Sequence, residues 1–365
     1  MRDYSKTMRV GAIYLFIIFL TLIVRIGFAV APPPDEAIDA VFTTVVQVLL
    51  FGIVPMTLYC VFVLKKDSPK NKIKILFSDF GFKRRLSLKT VLITIAVATL
   101  MIFSSYFISL MWNLILALLG YTHIPSETVY DSVGVLITEL ILTAVLPAFF
   151  EEVTHRGLLF AGYKDTNESP VFIILMTALL FSLMHQNIAQ TGYTFYAGII
   201  MGYLCFYSRS IWPPIIAHFM NNAWSVISDY VEQNGGYVLI YVNQFYDFLT
   251  GTVWGLLLFL TLFVVSVILI VLLFKALKNE YHKDFFAPSR EKPAEAAEAS
   301  KELNPSAESI DSYYEQKITA PLDTLRHFEK DAILRQRRKD NIYIYITIAI
   351  GAVATVFSMI WGFLR

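Results

Sequence analysis

Charge is scarce in this chain. Asp, Glu, Lys and Arg make up 16% of its 365 residues, whereas a soluble domain carries about 25%. Hydrophobic residues reach 56%, and mean hydropathy is +0.58. An ordinary soluble globular domain is excluded. Cysteine is scarce too: Cys60 and Cys205 are the only two, and both lie inside apolar stretches. That rules out a disulfide framework and a cysteine-built zinc site. The net charge is +1, and the basic residues sit in clusters rather than along one face, so no nucleic-acid partner is expected. Two catalytic signatures are also missing. There is no GxSxG nucleophile elbow and no HExxH zinc motif.

What the chain has instead is long apolar runs. A membrane-crossing helix needs about 20 mainly apolar residues. Candidate spans are Val10–Ala31, Ile38–Leu64, Val91–Leu119, Val133–Tyr163, Val171–Gln186, Tyr193–Tyr207, Ile211–Tyr230, Phe248–Leu277 and Ile342–Phe363. The expected fold class is all-α: a polytopic transmembrane helical bundle with eight core spans and one extra C-terminal span. The fifth and sixth are short, and so are expected to tilt, be shielded or span incompletely.

The basic residues orient these spans. Lys65, Lys66, Lys70, Lys72, Lys74, Lys83, Arg84, Arg85 and Lys89 crowd one connection, which the positive-inside rule assigns to the cytoplasm. Arg2, Lys6 and Arg9 place the N-terminus on the same side. The alternate connections around Asp35–Glu36, Tyr121–Asp131 and Val231–Tyr246 carry no Lys or Arg. The protein is therefore expected in the cell membrane, multi-pass, with the lipid bilayer as its surroundings and a cytoplasmic N-terminus. The first apolar run ends in Ala29-Val30-Ala31, as a signal peptide does. It is longer than a signal's apolar region, however, and Pro32 follows directly, so a retained anchor is expected.

Four regions follow: residues 1–84 with the first spans and basic loop, a core at 85–277, a polar linker at 278–340, and a last span at 341–365. The linker is rich in Glu, Lys, Ala, Ser and Pro and cannot bury enough apolar surface to fold alone. It reads as a solvated tether, with adaptor or lipid-surface binding as the functional alternative.

Against this apolar background, a few polar residues stand out. They form EExxxR (Glu151, Glu152, Arg156), FxxxH (Phe181, His185) and HxxxN (His218, Asn222). Ionisable groups at membrane depth are costly, face a bundle interior and mark functional sites. Residues four apart share a helix face, so Arg156 aligns with Glu152 and reads as a brace. Glu151 points about 100° away and remains available. Pro147, one turn earlier, disfavours a straight helix and makes room beside Glu151. His185 taken alone reads as an ordinary core histidine, and its companions are what lend it function. His218 and Asn222 share a face, and both can donate to a developing oxyanion without carrying charge.

Together these residues read as hydrolysis: Glu151 takes a proton from water, His185 holds that water, and His218 and Asn222 stabilise the tetrahedral oxyanion. No cofactor is needed. A metal alternative would draw on Glu151, Glu152, His155, His185 and His218; the missing HExxH and the poor ligand Asn222 weigh against it. Glu151 lies roughly 18 Å from the helix end near Tyr163, at about 1.5 Å per residue. The motifs converge in depth only if spans tilt, kink or re-enter. Glu139 is expected to be buried in the same span, with Arg25 as its candidate partner.

In order, on separate spans, the three motifs resemble those of the CPBP family, the CAAX proteases and bacteriocin-processing enzymes also called Abi. Phe80-Gly81-Phe82 looks like the short leader of its bacterial members. The resemblance covers residues 85–230, and its extension through Leu277 is expected. It implies an intramembrane glutamic endopeptidase acting on a peptide or protein substrate. Glu151, His185, His218 and Asn222 would be catalytic, Glu152 and Arg156 supporting, and metal absent. The expected substrate is a peptide or protein tail reached from the cytoplasmic side, in CAAX-type or bacteriocin processing. His155 departs from the apolar or aromatic residue expected inside EExxxR; it is either incidental or acts on Glu151 from one turn away. Two further classes compete: a non-catalytic immunity factor or scaffold, suggested by the linker and last span, and a proton-relay transporter, which lacks the inverted repeat such proteins carry.

Overall fold

A computed structural model describes residues 5–31, 36–65, 67–121, 128–163, 166, 168–285 and 338–363. All regular structure among them is helical. In chain order the helices are α1 (Lys6–Val30), α2 (Ile38–Val63), α3 (Pro69–Asp79), α4 (Leu88–Leu118), α5 (Val133–Tyr163), α6 (Pro170–Met184), α7 (Ile188–Ser208), α8 (Trp212–Gln233), α9 (Tyr237–Gly251), α10 (Val253–Phe285) and α11 (Ile342–Phe363).

Six of these, α1, α2, α4, α5, α10 and α11, are long and apolar enough to cross a membrane. The expected nine spans are therefore not all of one kind. Helix α6 has 15 residues, about 22 Å at the usual rise, which is short of the hydrocarbon core. Helices α7 and α8 are longer but carry many polar residues. The expected span Phe248–Leu277 is broken at Thr252, between α9 and α10. There the Thr252 hydroxyl accepts the Gly255 N–H at 2.9 Å and starts a new helix. The stretch Val231–Tyr246, expected as an outer connection, is mostly α9. Of the polar linker, the first residues extend α10, and 286–337 lie outside the described residues.

Sequence signals explain the helix starts. Side chains of Ser87, Ser132, Ser169 and Asn187 accept backbone N–H groups in the first turns of α4, α5, α6 and α7. Proline occupies the first turn of α3, α6 and α8, where its missing N–H is harmless. The apolar residues then divide into two groups. Tyr14, Ile17, Val97, Met101, Leu158, Leu180 and Leu204 pack in one buried cluster. Leu257, Leu260, Val264, Ile268 and Leu272 of α10 are exposed. A soluble surface does not tolerate so long an apolar stripe, whereas a bilayer does.

Helices α6 and α7 form a hairpin, and α4 packs against α7, α8 and α10. The hairpin turn runs through His185 and Gln186, whose φ of +47° is left-handed. Arg25 Nη1 donates to the Gln186 carbonyl at 3.4 Å, and the Ile188 N–H donates to Ser358 of α11 at 3.0 Å. The last span, which lies outside the family resemblance, packs on α1 and α6 and braces the turn that carries His185.

Candidate active site

Helix α5 is not a regular α-helix. It carries two wider π-helical stretches, Leu140–Val145 and Val153–Leu159, on either side of Leu146–Glu152. Such stretches frequently occur at functional sites. Pro147 has no N–H for the Thr143 carbonyl, one turn back. Asn222 of α8 supplies that donor, with Nδ2 at 2.9 Å from Thr143 O. The irregularity expected at Pro147 is thus filled by the HxxxN motif. This joint, the π stretches and the short α6 bring together motifs whose depths differ along ideal helices.

The two glutamates face different surroundings. Glu152 is fully buried, and Arg156 is 1% exposed. Arg156 Nη1 donates to Glu152 Oε1 at 2.8 Å, and Nη2 donates to the Gly198 carbonyl of α7 at 2.9 Å. Gly198 packs closely on α6: a Cβ there would lie 3.0 Å from the Ala178 backbone. The same Glu152 oxygen accepts from His218 Nδ1 at 3.0 Å. Glu151, by contrast, lines a cavity of about 1430 Å³ together with His185, His218 and Asn222, while Glu152 and Arg156 do not. Glu151 is 9% exposed, and its Oε2 has no hydrogen-bond partner among the described residues.

Proton positions follow from the partners. A carbonyl oxygen only accepts, so His185 Nδ1, 2.9 Å from Phe181 O, carries the hydrogen. That leaves His185 Nε2 as an acceptor in the neutral ring. His218 Nδ1 likewise donates to the Glu152 carboxylate, so its Nε2 can donate only in the doubly protonated ring. In that form Glu152 Oε1, 3.0 Å away, offsets the ring's charge. Asn222 retains a second amide hydrogen. His185 and Asn222 are half-buried, and His218 is 5% exposed.

Phe181, His155 and Tyr14 complete the surroundings of these groups. Phe181 stands edge-on to the rings of His155, His185 and His218, and the Arg156 guanidinium lies 4.8 Å from its ring centre. His155 is fully buried; Nδ1 donates to the Glu151 backbone carbonyl at 2.7 Å, and Nε2 lies 2.9 Å from the Tyr14 hydroxyl. It therefore holds the backbone of Glu151, one turn away, and a tyrosine in α1 holds it. The FxxxH spacing pointed to Phe181, but nothing in the sequence pointed to Tyr14.

The leader Phe80-Gly81-Phe82 clamps the start of α8. Gly81 O accepts the Ile211 N–H at 3.3 Å, and Phe82 O accepts from Trp212 Nε1 at 3.1 Å. Gly81 has φ +80°, and a Cβ would lie 3.1 Å from the Ile211 nitrogen; both features call for glycine. Glu139 is half-buried rather than buried, and its carboxylate accepts from Thr143 Oγ1 at 2.8 Å. Arg25 turns to the Gln186 carbonyl instead, because α1 packs on the second half of α5, away from Glu139.

Among the described residues, no group of three or more His, Cys, Asp or Glu side chains is placed to hold a metal ion. Of the suggested donors, His155 has both ring nitrogens engaged, and Glu152 Oε1 is shared by Arg156 and His218.

This is a multi-pass, all-helical membrane protein with Glu, Arg, His and Asn gathered at its centre. Residues 133–224 match the family model described as Type II CAAX prenyl endopeptidase Rce1-like. The match includes all three motifs and agrees with the CAAX-protease resemblance they carry. The chain is also similar to a Bacillus subtilis (strain 168) protein described as "Putative membrane peptidase YdiL", with 24% identity over 115 residues. That match covers 30% of this chain and 46%, about half, of the relative's length. No solved structure matches the chain.

Proposed function

We propose that the chain is an intramembrane glutamic-type endopeptidase whose catalytic core lies within residues 85–277. The observation that carries this reading is the unpartnered Glu151 oxygen, buried in a cavity shared with His185, His218 and Asn222. Next to it, Glu152 takes Arg156 and His218 on Oε1, and its own unpartnered Oε2 does not line the cavity. The Rce1-like match over the same residues supports the class of reaction.

In the reaction, the Glu151 carboxylate takes a proton from a water molecule. His185 Nε2 accepts the water's other hydrogen and fixes its lone pair toward the carbonyl carbon. Hydroxide adds to the peptide carbonyl, and the oxyanion is held by His218 Nε2–H and the free amide hydrogen of Asn222. The tetrahedral intermediate then collapses. The C–N bond breaks, the proton on Glu151 passes to the leaving amine, and carboxylate is regenerated. Glu152 keeps His218 oriented and offsets its charge, while Arg156 offsets Glu152. CAAX-type and bacteriocin-type peptides are both within this chemistry.

The test is cleavage of a peptide library by the purified full chain, with and without a strong chelator, beside Glu151→Gln. Cleavage that survives chelation and disappears in the variant supports the reading. Wild-type rates in Glu151→Gln would sink it and leave a scaffold or immunity role; loss on chelation would favour a metal-dependent protease.

A further inference from the structure

The cavity that holds Glu151 extends well beyond the catalytic groups. It reaches Thr128, Val129, Asp131, Ser132 and Gly134, all exposed, at the start of α5, and Asp39 at the start of α2. These residues lie at the end of the bundle where α1 and α4 finish. The opposite end holds the basic 65–89 segment, where Lys6 pairs with Asp79 at 3.2 Å and Lys89 lies 4.0 Å from Glu280. The cavity mouth therefore lies on the face away from the basic segment.

Apart from His185 and His218, its ionisable lining groups near the mouth and along the wall are acidic. Asp39, Asp131, Glu139 and Glu151 line it, with no Lys or Arg among the described lining residues. Tyr106, Tyr193 and Trp224 also line it, and aromatic faces attract cations. A second, independent feature points to a polar ligand. Ser105, 7% exposed, lines the cavity midway, and its hydroxyl has no partner. The Gln47 side-chain oxygen, on the facing helix, is unpartnered too. An unpaired buried polar group costs about 1–3 kcal/mol, and an extended peptide backbone could supply a donor to each.

We infer that the cavity admits a cationic peptide segment from the face opposite the basic loop, with Asp39, Asp131 and Glu139 drawing it toward Glu151. This rests on the peptidase reading of the site. By the positive-inside rule that face is extracytoplasmic, so the access route differs from the cytoplasmic one expected from the sequence. Carboxylates around a low-dielectric opening raise the local concentration of a cationic ligand.

The test separates binding from cleavage. Two fluorescent peptides of equal length and apolar content, one bearing Lys and one Glu, are titrated against full-length Glu151→Gln in nanodiscs. The Lys peptide is expected to bind at least about tenfold tighter at low salt, with the preference shrinking toward about 0.5 M salt. Asp39→Asn with Asp131→Asn, both exposed positions, should remove at least about threefold of it. Equal binding of the two peptides, or a preference untouched by these substitutions, overturns the inference. If wild type then cleaves neither peptide while the Lys preference stands, the peptidase reading fails and the binding inference survives. If wild type cleaves both equally, in a Glu151-dependent way, the reverse holds. Right-side-out vesicles should cleave added Lys peptide; cleavage by inverted vesicles alone overturns the assigned face.

Discussion

Adjacent residues Glu151 and Glu152 border two contrasting regions of the bundle. Behind Glu152 the interior is interlocked. Arg156 ties the carboxylate to α7 through Gly198, Phe181 packs among three histidine rings, and His155 links α5 to Tyr14. In front of Glu151 is open space lined by carboxylates, hydroxyls and amides, several of them without partners. One residue step thus divides bracing from chemistry. Glu152 Oε2 and Arg156 Nε also lack partners, but they lie outside the cavity, whereas the unpartnered groups that line it are available to a ligand.

Substitutions at four positions can break or sharpen that contrast. Glu151→Gln should lower kcat by about 10² to 10⁴-fold, the range for a general base, with thermal unfolding in detergent nearly unchanged. A large fall in stability would move Glu151 into the bracing region. Arg156→Ala should cost about 3 to 5 kcal/mol of stability, because it leaves the Glu152 charge buried without its main partner. Chemical unfolding in detergent measures this, and an unfolding free energy within about 1 kcal/mol of wild type would remove the bracing role. Arg156→Lys should not restore it, since one ammonium cannot serve Glu152 and Gly198 with the same fork.

Asn222→Ala comes next. Loss of one oxyanion donor should lower kcat by about 10² to 10³-fold. It also leaves the Thr143 carbonyl short of a donor, so a modest stability loss of about 1 kcal/mol accompanies it. Turnover that stayed within twofold of wild type would remove Asn222 from the oxyanion site. The smallest effect is expected from Tyr14→Phe, which removes the hydroxyl beside His155 for about 1 kcal/mol. If its turnover fell as far as that of Asn222→Ala, the two regions would be coupled rather than separate.

Much of this was legible beforehand. Helical spacing separated Glu152 and Arg156 from Glu151, because four residues return a side chain to the same face whatever surrounds the helix. Pro147 marked an irregularity. The apolar runs marked the six long spans, though not the break at Thr252 or the polar character of α7 and α8, where burial between helices replaces contact with lipid. The Tyr14–His155 bond could not be read because it joins residues 141 apart in sequence, and no local pattern encodes such a pairing. The bond between His218 and Glu152 was illegible for a related reason, since it joins residues of different helices.

The sequence by itself determined the helical membrane character, the motifs and the face each polar residue takes on its own helix. Those properties depend on composition and on a period of about 3.6 residues. Only the tertiary structure decided which partners Glu152 Oε1 takes, why Asn222 meets Thr143, what the last span braces and on which face the cavity opens. Each of those depends on how separate helices pack, and packing is settled by shape and hydrogen-bond satisfaction across the whole bundle.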